Sequence, residues 1–259
     1  MRTRRLSPFG TEVRDVALDR LCERDPEGLR RLICEARVCV FRDQDLSDAG
    51  FVRVLQALGD MMFTEGETEV AGQPELNVVT NVGRDRPPRS VFHTDTSYVD
   101  APPAFTALRA VDVPERGGET VFSDQIAVFA ALPEAVRKRL RGRRLRHAGG
   151  SMDVARDAAW HPLVRRHPVT GEAALFLSTP ARCDRIEGLG ETESRRIIEL
   201  LYRRSTRAHT LLRHRWRPGD VVFWDDRTTL HKGDHSAVVG ARTFHRGMVR
   251  GETPIMARA

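Results

Sequence analysis

Lysine is almost missing from this chain: Lys138 and Lys232 are the only two, so arginine carries nearly all of the 42 basic charges. These face 36 acidic residues, and the net charge of +6 is spread along the length instead of gathering into a run. That pattern describes a mixed solvated surface and excludes an evident nucleic-acid groove. Aromatic residues are scarce as well, at 6%, which leaves little for base stacking. The four cysteines, Cys22, Cys34, Cys39 and Cys183, form no Cys-x-x-Cys pair. This excludes a thioredoxin-like motif or a zinc ribbon and leaves buried free thiols as the expectation. No apolar run is long enough to cross a bilayer, and the arginines of the opening MRTRRLSPFGTEV are followed by no apolar stretch. A soluble, cytoplasmic chain without a membrane partner is expected. Internal repeats and low-complexity linkers are absent too, so the 259 residues, 40% of them hydrophobic, read as one domain spanning 1–259.

What is present is a change of rhythm. Residues 26 to 36 and 47 to 58 carry apolar side chains at helical spacing (Leu29, Leu32, Ile33; Phe51, Val54, Leu55, Leu58), with Ser47 placed to cap the second segment. Val38 to Phe41 between them reads as a buried strand. After Gly59 come short β-branched or aromatic runs, Asn77 to Thr80, Ser90 to Tyr98, Phe105 to Ala110 and Glu119 to Ser123, broken by Pro and Gly. Helices are expected near 124 to 141 and 191 to 205, then strands over Val221 to Trp224 and Arg242 to Val249. Many short strands with a few covering helices predict a mainly β fold with flanking helices, α+β, around a double-stranded β-helix of jelly-roll or cupin type. A doubly wound α/β fold would need regular alternation and a Gly-rich phosphate turn, and neither occurs.

His93-Thr94-Asp95 lies in a segment that reads as a strand, where residues two apart share a face, so an imidazole and a carboxylate converge. With nine histidines in the chain such a pair carries little weight alone. His231, after Val221-Val222-Phe223-Trp224 and the turn Asp225-Asp226-Arg227, is the candidate third ligand, with His235 as its competitor. Two histidines and a carboxylate on one side of a metal leave other positions open, as Fe(II) requires to take a chelating cosubstrate and O₂; zinc hydrolysis uses similar ligands. Arg242 and Arg246 are an even number of residues apart in a strand, so both face one side, roughly 13 Å from each other. Two guanidinium groups on one cavity suit two anions, and Thr120 offers a hydroxyl donor.

Taken together these motifs resemble the taurine dioxygenase (TauD/TfdA) family over nearly the whole chain. The landmarks are Gly10 to Val16, Val40-Phe41-Arg42-Asp43-Gln44, Phe51 to Gly59, Phe92-His93-Thr94-Asp95, Pro102-Pro103, Gly117-Gly118-Glu119-Thr120, Trp224-Asp225-Asp226-Arg227 with His231, and Arg242-Thr243-Phe244-His245-Arg246. The resemblance implies that His93, Asp95 and His231 bind Fe(II), that Thr120 and Arg242 hold the distal carboxylate of 2-oxoglutarate, and that Arg246 binds an anionic group of a small-molecule substrate. It implies an oxygenase that consumes O₂ and 2-oxoglutarate, releases succinate and CO₂, and oxidises its substrate by hydroxylation, desaturation, epoxidation or oxidative cleavage. Asp95 sets the chain apart from related halogenases, which have a small residue there. Thr64, Glu67 and Arg89 stand where the taurine enzyme has its substrate-binding histidine, tyrosine and asparagine, so taurine itself is not expected and natural-product tailoring is one alternative. Asp226 replaces the Asn common in this motif, a change expected to act behind the metal ligands. The polar segment 63–74 is expected to be a lid over the iron. Dimers or tetramers are common among relatives. Two other readings stand beside this one: a non-catalytic jelly-roll binder that has kept the pocket, and a nucleic-acid demethylase-type oxygenase, which the missing basic groove disfavours.

Overall fold

The computed structural model describes residues 1–64, 66–84, 88, 90–149 and 158–258. Its centre is a large sheet in which Val38–Phe41, Val221–Asp225, Pro103–Asp112, Thr243–Arg250 and Gln73–Thr80 follow one another side by side. Neighbours in this run are antiparallel, with Val222 opposite both Val40 and Leu108, and Arg246 opposite both Leu108 and Asn77. A smaller sheet, Leu211–His214, Thr120–Asp124 and Thr229–Gly233, completes the jelly roll.

Strand alternation explains how the two sheets close. From the large sheet Val38, Val40, Leu108, Val222, Trp224 and Phe244 point inward and meet Phe122 and Leu212 of the small sheet. The intervening residues Cys39, Phe41, Phe105, Val221 and Phe223 point outward and are covered by helices. Val221–Asp225 is therefore buried along its entire length, which is why it reads as a continuous apolar run.

Those covering helices sit where their periodicity puts them. Pro26–Ala36 starts at a proline with the Asp25 side chain accepting from Gly28 N, and Asp48–Leu58 is capped by Ser47, whose Oγ accepts from Gly50 N at 3.2 Å. Phe51, Leu55 and Leu58 are wholly buried against the sheet, each contributing about 1.5–3 kcal/mol.

Two expectations change. The helix expected over 124 to 141 is two, Gln125–Ala130 and Glu134–Leu140. Pro133 has no N–H to continue the first and forces Leu132 out of helical geometry, so the chain restarts. The segment Ser90 to Tyr98 is not a strand either: it makes a single bridge, His93 with His231, and then turns at Asp95 and at Thr96, whose φ is +41°. Thr94 is drawn inward there to donate its hydroxyl to Leu177 O at 2.8 Å, which bends the chain away from pairing. Of segment 63–74, Glu69–Val70 pairs with Gln73–Thr80 as a hairpin, and Glu67 lines the cavity; Glu65 lies outside the described residues.

Candidate active site

One isolated bridge, between the segment carrying His93 and the strand Thr229–Gly233, assembles the centre of the site. His93 N donates to His231 O at 2.9 Å and His231 N donates to His93 O at 3.0 Å, bringing the two rings to 4.4 Å between centroids. The turn after His93 then carries Asp95 to both imidazoles: its Oδ1 is 3.5 Å from His93 Nε2 and its Oδ2 3.6 Å from His231 Nε2. All candidate ligand atoms of the three residues lie within 4.8 Å of one another. Separations of this size are long for hydrogen bonds and suit atoms each about 2 Å from a shared ion.

Protonation favours the same use. His93 Nδ1 lies 2.9 Å from Val91 O; donating there fixes its proton and leaves the Nε2 lone pair facing Asp95. His231, packed against Trp224, has its pKa pushed down to about 3, chiefly by burial, so its imidazole is neutral. Burial would raise the Asp95 pKa, but its contacts with His231, Arg246 and His93 hold it well below the usual carboxylate range. Two imidazoles and one carboxylate, with their ligand atoms on one side, could hold Fe(II) with positions to spare.

A second group with ligand-like spacing, Cys34, His167 and Asp225, has no such freedom. Arg227 donates to both Asp225 oxygens, at 2.8 and 2.6 Å, and to Cys34 Sγ at 3.1 Å. His167 Nδ1 accepts from the amides of Val169 and Thr170, so Nε2 carries the proton it donates to Asp225. Burial pushes the Cys34 thiol up to about 12. Every lone pair a metal would need is taken, and the group acts as a buried ionic clamp between helix and sheet.

Behind Asp95 stands a relay that sequence spacing does not reveal. Thr106 Oγ1 is 3.1 Å from Asp95 Oδ2 and 2.5 Å from Asp226 Oδ2, while Trp224 Nε1 donates to Asp226 Oδ1 at 3.1 Å. Burial, and after it the charge of Asp95, raise the Asp226 pKa well above the ordinary value. A protonated Asp226 donates to Thr106, which donates to Asp95. A lone threonine in the otherwise apolar Ala104 to Leu108 was the available signal.

Toward the other end of the cavity Arg242 is 2% exposed and has no carboxylate within ion-pair distance among the described residues. Its Nε donates to Gly118 O at 2.9 Å and its Nη2 lies 3.5 Å from Thr120 Oγ1. Burial lowers its pKa to about 10, so it remains a cation in need of an anion. Gly118 has φ +75°, and a Cβ there would come within 3.0 Å of Arg242 Cδ; at Gly117, φ +71°, a Cβ would lie 2.4 Å from Ala237 O. The Gly-Gly pair is the mould in which Arg242 lies. His235, the competitor for the third ligand position, stands outside the metal-like cluster. It leans over Gly233, where a Cβ would meet its Nε2 at 2.8 Å.

Arg246 faces the same cavity, of about 230 Å³. Its Nη1 is 3.4 Å from Asp95 Oδ1, and its Nη2 is 3.4 Å from Asn77 Oδ1 and from Glu67 Oε1. Thr64 is turned toward Thr96, with their hydroxyls 3.0 Å apart, and so buttresses the turn that carries Asp95. Arg89 lies outside the described residues.

Fold and comparisons define the class of protein: a 2-oxoglutarate-dependent dioxygenase built on a jelly-roll core. The chain belongs to the TauD, TfdA family, whose model, described as taurine catabolism dioxygenase, matches residues 2–248. It is 30% identical to an alpha-ketoglutarate-dependent 2,4-dichlorophenoxyacetate dioxygenase of Cupriavidus pinatubonensis, over 92% of this chain and 93% of that protein. It is 28% identical to an alpha-ketoglutarate-dependent sulfate ester dioxygenase of Pseudomonas putida, over 95% of this chain and 88% of that one. A crystal structure of a taurine dioxygenase from Burkholderia xenovorans superposes with a TM-score of 0.88 at 29% identity, covering 99% of this chain and 92% of that chain. Among the described residues no helix is long and apolar enough to cross a membrane.

Proposed function

We propose that this protein oxidises a small, acid-bearing organic molecule at an iron held by His93, Asp95 and His231, while Thr120 and Arg242 bind the distal carboxylate of 2-oxoglutarate. Arg246 takes the substrate's anionic group, with Glu67 beside it. Family members use Fe(II), 2-oxoglutarate and O₂, and iron with its cosubstrates supplies the oxidising power, yielding succinate and CO₂. The observation that carries the assignment is the buried Arg242, with no carboxylate at ion-pair distance among the described residues, at the same cavity as a two-histidine, one-carboxylate cluster. The cluster alone would suit zinc hydrolysis as well, so it is the conjunction with Arg242 that favours a carboxylate-bearing cosubstrate.

The protein's own residues do the positioning. Val91 O and the Asp226–Thr106 relay orient His93 and Asp95, so the donor set is prearranged. Trp224 and Phe122 flank His231 and keep water from its ring. Arg246, held near Asp95, sets the distance between the substrate's anion and the metal position, and so which C–H bond is presented.

The test is succinate formation. Purified protein is expected to convert 2-oxoglutarate to succinate only with Fe(II) and O₂ present, and His93→Ala to lose at least about 100-fold of that rate. Anaerobic calorimetry showing no binding of Fe(II) or 2-oxoglutarate would sink the reading.

A further inference from the structure

Charges facing the cavity divide by what each part of the site needs. Asp95 goes with the imidazoles, and Arg242 with the cosubstrate carboxylate. Among the described residues, the other opposite charges that meet at the cavity are Arg246, mostly buried, and Glu67, partly exposed at its mouth, in contact at 3.4 Å. Arg84, also at the cavity, is exposed at its rim and donates to Thr80 O at 2.9 Å.

Glu67 is held toward Arg246 by more than the ion pair. Its amide donates to Thr64 O at 3.3 Å, the Thr64 hydroxyl is tied to Thr96, and Thr68 O accepts from Val78 N at 2.8 Å. Both sides of the short loop are therefore pinned, and its carboxylate is directed at the cavity. Arg246, for its part, is not saturated. Its three Nη contacts are all 3.4 Å long, and among the described residues its buried Nε has no acceptor and neither has the neighbouring buried Asn77 Nδ2. A guanidinium has five donors, so it can take a ligand's anion and keep Glu67.

A simple acid bound there would set its carboxylate beside that of Glu67. A ligand that also carries a cation next to its anion would meet both charges with opposite ones. We propose that Glu67 and Arg246 form a two-charge recognition site for a zwitterion, an amino acid or comparable ammonium acid, whose anion rests on Arg246 and whose ammonium rests on Glu67. The inference rests on the assignment of Arg246 to the substrate's anion and narrows the acid-bearing class to ammonium acids.

The experiment is anaerobic calorimetry on the Fe(II)- and 2-oxoglutarate-loaded protein, with acids paired by carbon skeleton: 3-phenylpropionate with phenylalanine, hexanoate with norleucine, pentanoate with 5-aminopentanoate. In at least one pair the ammonium acid is expected to bind about tenfold more tightly than its partner. Glu67→Gln should remove that gap, and Glu67→Asp should retain part of it. Simple acids that bind at least as well as their partners, and bind better still to Glu67→Gln, would overturn the proposal and make Glu67 a competitor for Arg246. Failure of every pair to bind to protein that takes up Fe(II) and 2-oxoglutarate also overturns it while leaving the oxygenase reading intact. Failure of the loading step itself would bring down that reading, and the zwitterion site with it.

Discussion

Asp226 replaces an amide by an acid at a place with no water to stabilise its charge. Held by Thr106 and Trp224 and facing Asp95, it keeps its proton well above the ordinary carboxyl range. In the unfolded chain the same group ionises freely, so folding takes up a proton and stability falls as pH rises above about 3.8, until the folded group ionises too. An asparagine would donate to Thr106 from Nδ2 and accept from Trp224 without that cost. Asp226→Asn in the metal-free protein is expected to be more stable at pH 7 by at least about 1 kcal/mol, read as a higher urea midpoint, with the gain shrinking toward pH 4. A variant less stable than the parent at pH 7 would show that Asp226 is ionised. At this scale the sequence was informative where motifs are contiguous, as in His93-Thr94-Asp95, and silent where partners come from distant strands. Thr106 and Asp226 are 120 positions apart, and nothing local marks them as a pair.

Among elements, the Gly117-Gly118 turn does the most for the cosubstrate pocket. Both residues have positive φ, and Gly118 lies against the Arg242 side chain. An alanine at 118 costs about 1–2 kcal/mol for the left-handed backbone and presses on Arg242, so Gly118→Ala is expected to weaken 2-oxoglutarate binding several-fold while Fe(II) affinity stays unchanged, as measured by anaerobic titration. Gly117→Ala meets backbone instead, Ala237 O, and should lower the melting temperature more than it affects binding. Elements with strong periodicity were legible: the helices Pro26–Ala36, Asp48–Leu58 and Glu191–Ser205 and the strand Val221–Asp225 fall where apolar spacing puts them. Residues 90 to 98 were misread because alternation there reflects side chains turned to the metal-like site and to Leu177, not a ladder. His93 and Asp95 still converge, through a turn at Thr96 that no pattern of hydrophobicity encodes.

Across the whole molecule, burial of histidine sets an acid limit. His147 and His161 are essentially inaccessible and stack with Phe176. Burial lowers both pKa values, that of His161 to about 4. The unfolded chain binds these protons below about pH 6.5 and the folded chain refuses them, so stability is complete above that pH and is lost as pH falls toward 4. At pH 5 His161 alone should cost about 2 kcal/mol, and His147 acts in the same direction. Melting temperature should therefore begin to fall near pH 6.5, well before carboxylates such as Glu12, held down at about 2 by three arginines despite its burial, start to protonate. A melting temperature flat from pH 7 to 4.5 would contradict the burial of these rings as a neutral pair.

By itself the sequence determined the family and the jelly-roll class and marked His93, Asp95, His231, Arg242 and Arg246 as candidates, because those depend on residue type, short-range spacing and period, all of which are linear properties. Only the tertiary structure decided which of them meet. It set His231 and not His235 beside Asp95, left Arg242 without a carboxylate at ion-pair distance among the described residues while giving Arg246 two, and brought Glu67 to Arg246 at the cavity mouth. These outcomes depend on how two sheets are stacked and in what register, and contact across a cavity is fixed by that packing, to which sequence separation is indifferent.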